Sequence, residues 1–212
     1  MDNGESSFEQ GRKMLSLVIQ AGGESRRIGR DKALLPFLGQ PLILRPLTRL
    51  ASVADEVLVT SNQPEKFGFL GIRPIPDLLP GRGALGGLYT ALNAASHPFV
   101  AVVACDMPFA SAALFAYELI VLRESGADAV VPRTTTGTEP FHAIYKREPC
   151  LPHIRAVLQA GKQRVDAWFN EVNIHYLKPD EIQSYDSDGL AFLNINTLEE
   201  LKEAENIARN LF

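Results

Sequence analysis

The sequence predicts an α/β fold of the doubly wound kind: one mostly parallel sheet with helices on both faces, in a single domain. Three observations carry this. Short β-branched runs recur along the chain as LSLVI, DEVLVTS, IRPIP, FVAVVAC and ADAVVPR. Between them lie stretches of helical spacing, and continuously apolar strands alternating with helices are the pattern of a parallel sheet covered on both sides. A chain of 212 residues, 46% hydrophobic and 22% charged, has enough apolar material for one sizeable core.

The elements follow in order. Residues 1–13, MDNGESSFEQGRK, are polar and read as a loose, flexible tail, leaving a domain over 14–212. LSLVI is the first strand, PLILRPLTRLASV the first helix and DEVLVTS the second strand. IRPIP is a third strand and LGGLYTALNAAS a helix, after which FVAVVAC, SAALFAYELIVLRE and ADAVVPR give strand, helix, strand. Beyond Val131 the pattern changes: TTTGTE is a turn, FHAIY a strand, LPHIRAVLQAG a helix closed by Gly161, and VNIHYL another strand. Thr197 and Glu200 of TLEE form a capping-box signature that opens a last helix running through Leu211.

Charge and cysteine content narrow the function. A formal net charge of −4 and a pI near 5.6 give no overall attraction to nucleic acid or to an anionic membrane, although Arg26, Arg27, Arg30 and Lys32 make a local basic cluster. Anions are therefore expected at a site and not over a surface. Two cysteines, Cys105 and Cys150, suit a reduced, cytoplasmic setting, and no zinc spacing, signal peptide or membrane-spanning run is present in the sequence. No nucleic-acid or membrane partner is expected.

In an open α/β sheet ligands bind beyond the carboxyl ends of the strands, so the loops after strands matter most. The first is QAGGESRRIGRDKALLPF, from Gln20 to Phe37. Adjacent glycines let the backbone approach a ligand and turn N–H groups onto phosphate oxygens, and arginine and lysine add charge. The stretch reads as a phosphate cradle. Its spacing is neither GxGxxG, since Glu24 and Ser25 stand where a glycine would be needed, nor GxxxxGK[ST], since Gly29 precedes Arg30. A glycine turn with a solvated basic face is the alternative.

The second loop is DLLPGRGALGGLYTAL, Asp77 to Leu92, where Gly81, Gly83, Gly86 and Gly87 lead into a helix N-terminus that favours anions, or else permit close packing of helix on sheet. The third is VVACDMPF, which delivers Asp106 to a strand end. Mg²⁺ takes one or two carboxylates and completes its shell with water and substrate phosphates, so one aspartate facing a phosphate cradle is chemically sufficient. Capping of the helix that begins near Ser111, or a turn before Pro108, would explain Asp106 otherwise. Cys105 reads as a small core residue. Of the four histidines only His142, in TEPFHAIY, is placed near a site.

These residues carry a resemblance. AGGxSxRxGxDK, spelled by Ala21, Gly22, Gly23, Ser25, Arg27, Gly29, Asp31 and Lys32, resembles the nucleotide-binding signature of nucleotidyltransferases that couple an NTP to a phosphorylated acceptor. Within them the chain is similar to the MobA-like family of molybdenum cofactor guanylyltransferases, with GRGALGG, CDMPF, TEPFHAIY, AGKQRV and FLNINTLEEL in the same order over roughly residues 15 to 205. The resemblance implies a Rossmann-like nucleotidyltransferase fold, GTP and Mg²⁺ as cosubstrates, and transfer of GMP to the phosphate of molybdopterin or molybdenum-molybdopterin with release of pyrophosphate. It also implies contact with molybdopterin-delivering and molybdoenzyme assembly proteins.

Carried over by position, Gln20, Ala21, Gly22 and Gly23 hold the nucleotide through the backbone, and Arg27 and Lys32 bind its phosphates as catalytic charges. Asn62 and Asp77 contact the nucleoside, Asp106 holds magnesium, and Asn194 and Asn196, with His142, lie near the acceptor. Gln20 stands where leucine is usual, so its amide points either toward the base or away into solvent. A cytidylyltransferase, another sugar-phosphate type of nucleotidyltransferase, and a non-catalytic nucleotide-binding adaptor of molybdoenzyme assembly are the competing readings.

Overall fold

The computed structural model describes residues 14–22 and 31–211; the expected tail, Gly23 and Arg27 lie outside the described residues. LSLVIQ forms β1 (Leu15–Gln20), buried at every position as a strand covered on both faces must be. Its alternation sorts two cores. Leu15, Leu17 and Ile19 face one layer, which holds Ile43, Leu50, Leu114, Phe115 and Leu122; Val18 faces the other, with Leu85, Leu88 and Ile154.

The chain then makes a small hairpin, β2 (Pro36–Phe37) with β3 (Gln40–Pro41), followed by α1 (Leu44–Leu50), β4 (Glu56–Ser61), β5 (Ile75–Pro76), α2 (Gly83–Ala94) and β6 (Phe99–Ala104). α3 (Ala112–Glu124), β7 (Ala129–Pro132), β8 (His142–Lys146), α4 (Arg147–Gln159), β9 (Ile174–Leu177), α5 (Pro179–Gln183) and α6 (Leu198–Leu211) complete it. Among the described residues seven strands make the main sheet, in the order β5-β4-β1-β6-β8-β7-β9. β4, β1, β6 and β5 run parallel, and β8 is antiparallel to both its neighbours. α1 and α3 cover one face, α2 and α4 the other, as the doubly wound reading requires.

Local signals were faithful at the helix ends. Ser111 caps α3 by accepting from the Leu114 N–H at 3.2 Å, and Thr197 with Glu200 closes the capping box at α6. Two expectations need correction. IRPIP pairs only through Ile75 and Pro76, because prolines 74 and 76 bring no N–H to a ladder and confine the run to the sheet edge. The LPHIRAVLQAG helix starts earlier, at Arg147, and carries Pro152 inside it; Gly161 at φ +76° leads the chain out. No helix among the described residues is long and apolar enough to cross a membrane.

Candidate active site

Because β1, β4 and β6 are parallel, their carboxyl ends share one edge of the sheet, and the loops leaving them meet there. The β1 carbonyl at Gln20 accepts from Cys105 N–H at 3.0 Å, and Ala21 N–H donates to Thr60 at 2.8 Å, so the three loops are stitched together where the ladder ends. They enclose a cavity of about 560 Å³. Gln20, Ala21 and Gly22 line it from β1, Asn62 from β4, Asp77 from β5, and Asp106 from β6.

Gly22 lies between the two nucleoside candidates. A side-chain carbon built on it would lie 3.5 Å from the Asp77 carboxylate and 3.7 Å from the Asn62 amide, ordinary contact distances that place the two groups side by side over the glycine. Burial raises the Asp77 carboxyl above its ordinary value, as expected for an acid partly withdrawn from water. Opposite, Gly81 and Gly83 adopt φ of +79° and +60°, the left-handed turn that only glycine enters at no steric cost, and bring the start of α2 to the cavity.

The charged end is built from distant segments. Asp31 accepts from the Ala33 N–H at 3.1 Å and caps a 3₁₀ turn over Lys32–Leu34 that aims Lys32 inward. Its ammonium donates to Asp106 Oδ2 at 2.9 Å and to Asn196 Oδ1 at 2.8 Å. Asn196 is in place because the Ile195 N–H donates to the Asp106 carbonyl at 3.0 Å, docking the NINT loop on the loop after β6. Side-chain exposures of 20% for Lys32 and 16% for Asp106 leave the pair within reach of a ligand. A single carboxylate beside an ammonium, with no cluster of metal-ligating side chains among the described residues, fits Mg²⁺ held jointly with substrate phosphates better than an all-protein cage.

Other predicted site residues are placed differently. His142 is fully buried: Nδ1 lies 3.0 Å from Glu118 Oε1, Nε2 accepts from the Ser111 N–H at 3.1 Å, and the ring stacks on Phe115 at 3.9 Å. Both nitrogens are engaged within the protein, so it cannot touch an acceptor. Burial holds its pKa down to about 3 and pushes Glu118 well above the carboxylate range. Asn194 turns its amide onto the Phe192 carbonyl at 3.1 Å and does not line the cavity. Gly23 and Arg27 lie outside the described residues. Cys105, its thiol pushed up by burial, is the inert core residue expected.

Besides Ala84 and Ala104, two larger lining residues, Phe141 and Gln163, are not among the residues singled out from the sequence. Phe141 immediately precedes β8, and its carbonyl accepts from Ala104 N–H at 3.1 Å. Phe141 belongs to the turn that the His142 N–H closes onto the Glu139 carbonyl at 3.1 Å, so it stays at the cavity while His142, the first residue of β8, enters the core. The signal for both was the resemblance itself, whose segments TEPFHAIY and AGKQRV contain them.

A mostly parallel sheet with a glycine-lined cavity at its carboxyl edge, closed by a lysine and an aspartate, defines a nucleotide-binding α/β protein built for phosphate ligands. The comparisons narrow that class. Residues 17–174 match the MobA-like NTP transferase domain, and the chain belongs to that family. It is 35% identical over 193 residues to a protein of Pelotomaculum thermopropionicum named "probable molybdenum cofactor guanylyltransferase", covering 91% of this chain and 93% of that one. A molybdenum cofactor guanylyltransferase of Desulfosudis oleivorans is 35% identical over 191 residues, covering 89% and 93%. In fold, the chain is similar to molybdopterin-guanine dinucleotide biosynthesis protein A of Archaeoglobus fulgidus, at a TM-score of 0.81 and 24% identity over 92% of this chain and 99% of that one.

Proposed function

We propose that this protein transfers GMP from GTP to the phosphate of molybdopterin or molybdenum-molybdopterin, releasing pyrophosphate and forming a guanine dinucleotide cofactor. The observation that carries this reading is Lys32 held between Asp106 and Asn196 at the mouth of a glycine-lined cavity. The names of the relatives point to the same activity.

An acceptor phosphate is already an anion, so no protein nucleophile is required; an oxygen of that phosphate bonds to the α-phosphorus of GTP as the bond to the pyrophosphate oxygen breaks. Lys32 offsets the charge that develops, and Asn62 and Asp77, which flank Gly22, contact the nucleoside. Asn196, which Lys32 already touches, stands on the acceptor side. Asp106 would hold Mg²⁺, which would supply Lewis-acid stabilisation of phosphate charge there. Molybdopterin-delivering and molybdoenzyme assembly proteins, and a cytoplasmic setting in keeping with two free buried thiols, belong to the same proposal.

The test is to incubate the protein with Mg²⁺, molybdopterin and each nucleoside triphosphate in turn, and to identify the product by mass. A guanine dinucleotide with stoichiometric pyrophosphate supports the reading. A cytosine product moves the protein to the cytidylyl branch, and absence of pyrophosphate release leaves a binding adaptor.

A further inference from the structure

We propose that the side-chain amide of Gln20 is a specificity-determining group, hydrogen-bonding the neutral heterocycle of a bound substrate; this rests on the nucleotidyl-transfer reading above. Gln20 is the last residue of β1 and faces the α2 side, one alternation beyond Val18, which packs with Leu85 and Leu88. It is 7% exposed, lines the cavity, and its Nε2 is fully buried with no hydrogen-bond partner among the described residues. Buried amides are almost always paired, because an unmet one forfeits its hydration without return. The missing partner is one a ligand would bring.

Gly87 supports the same conclusion independently. It lies within α2 at a φ that any residue adopts, so the backbone does not call for glycine there. Space does. A side-chain carbon on Gly87 would sit 3.1 Å from Gln20 Oε1, 3.3 Å from Cδ and 3.4 Å from Nε2, close enough to displace the amide. The helix is notched around this one polar group.

A primary amide offers a donor and an acceptor side by side, and a half-turn of its terminal torsion exchanges them. Its complement is a ring edge that sets a hydrogen-bond donor beside an acceptor. Guanine has that edge and so does the pterin of molybdopterin, whereas phosphate offers only acceptors and is already matched by Lys32. Gln20 therefore reads a ring and not a phosphate.

The experiment measures Kd by calorimetry in Mg²⁺ buffer for GTP and for inorganic tripolyphosphate, and KM for molybdopterin, in wild type, Gln20→Met and Gly87→Ala. Met keeps length and burial without the amide; Ala displaces the amide while favouring the helix. The expected result is about a tenfold weaker GTP Kd in both variants, an unchanged tripolyphosphate Kd, and a ligand-free Tm equal to or above wild type. A tenfold rise in molybdopterin KM with GTP unchanged would assign the amide to the pterin. If GTP, tripolyphosphate and molybdopterin all weaken alike, or none changes, Gln20 reads no ring and the proposal is overturned. Tighter binding of CTP than GTP by wild type would instead remove the guanylyl reading, while the split between nucleotide and tripolyphosphate would still report on Gln20.

Discussion

Lys32–Asp106 and His142–Glu118 are two acid–base pairs of nearly equal length, 2.9 and 3.0 Å, and they behave in opposite ways. The first sits at the cavity, with side chains 20% and 16% exposed; the second is sealed in the core, with both at 0%. Water keeps charge affordable for the first pair, and a phosphate or cation can replace either partner. In the core, burial favours the neutral form of both groups. Geometry agrees: Nε2 of His142 accepts from the Ser111 N–H, so an imidazolium would set one N–H against another. The sealed pair is a hydrogen bond between neutral groups that fixes a tautomer and ties α3 to β8. Of the two pairs, only the one at the cavity can exchange partners for a ligand.

The largest effect should come from Asp106→Asn, which removes the carboxylate proposed to hold Mg²⁺ while keeping side-chain shape. We expect Mg²⁺-dependent pyrophosphate release to fall to background with Tm close to wild type, since asparagine keeps an oxygen that can accept from the Lys32 ammonium. Turnover near wild type would take Asp106 out of the site.

His142→Ala should do the reverse. It orphans Glu118 and leaves a hole beside Phe115 and Phe192, together costing about 2 to 4 kcal/mol of stability by urea denaturation. At temperatures where the variant stays folded, KM for GTP should be nearly unchanged. A large KM increase with intact stability would return His142 to the ligand site.

A smaller effect separates the pair's two members by pH. His142, held to about 3 against an ordinary 6.5, takes up fewer protons folded than unfolded between those values, so stability falls as pH drops from about 6.5 toward 3. Glu118, raised by burial, takes up more protons folded, so stability falls as pH rises above about 4.5 until the folded carboxyl ionises. Glu118→Gln keeps an acceptor for Nδ1 and should shift stability by only about 1 kcal/mol at low pH. It should flatten the alkaline slope and leave the acid slope. An unchanged alkaline slope would mean that Glu118 is not the group responsible.

The two pairs were unequally legible in the sequence. Lys32 and Asp106 each follow a strand in a motif of recognisable chemistry, so the loops after β1 and β6 marked the site before any geometry. Asn196 was reached only through the resemblance, because its contact with Lys32 spans 164 positions and leaves no local pattern. A histidine beside a motif looks chemical, whereas β8 carries His142 into the core and the turn before it leaves Phe141 at the cavity. The amide of Gln20 could not be oriented from composition; the notch at Gly87 is a three-dimensional fact. The strands were legible from their apolar runs, but the reversed direction of β8 was not, since a buried strand reads the same either way. α5, at five residues, is too short to show a period.

The half-buried pair at the cavity carries chemistry while its sealed counterpart carries structure, a division that kcat for pyrophosphate release by Lys32→Ala tests most directly. Measured with GTP, Mg²⁺ and molybdopterin well below Tm, kcat should fall by about 10²- to 10³-fold, the loss typical of one deleted electrostatic stabiliser, because charge grows toward the transition state. A wild-type kcat with only KM raised would contradict the account, leaving Lys32 a ground-state anchor for phosphate.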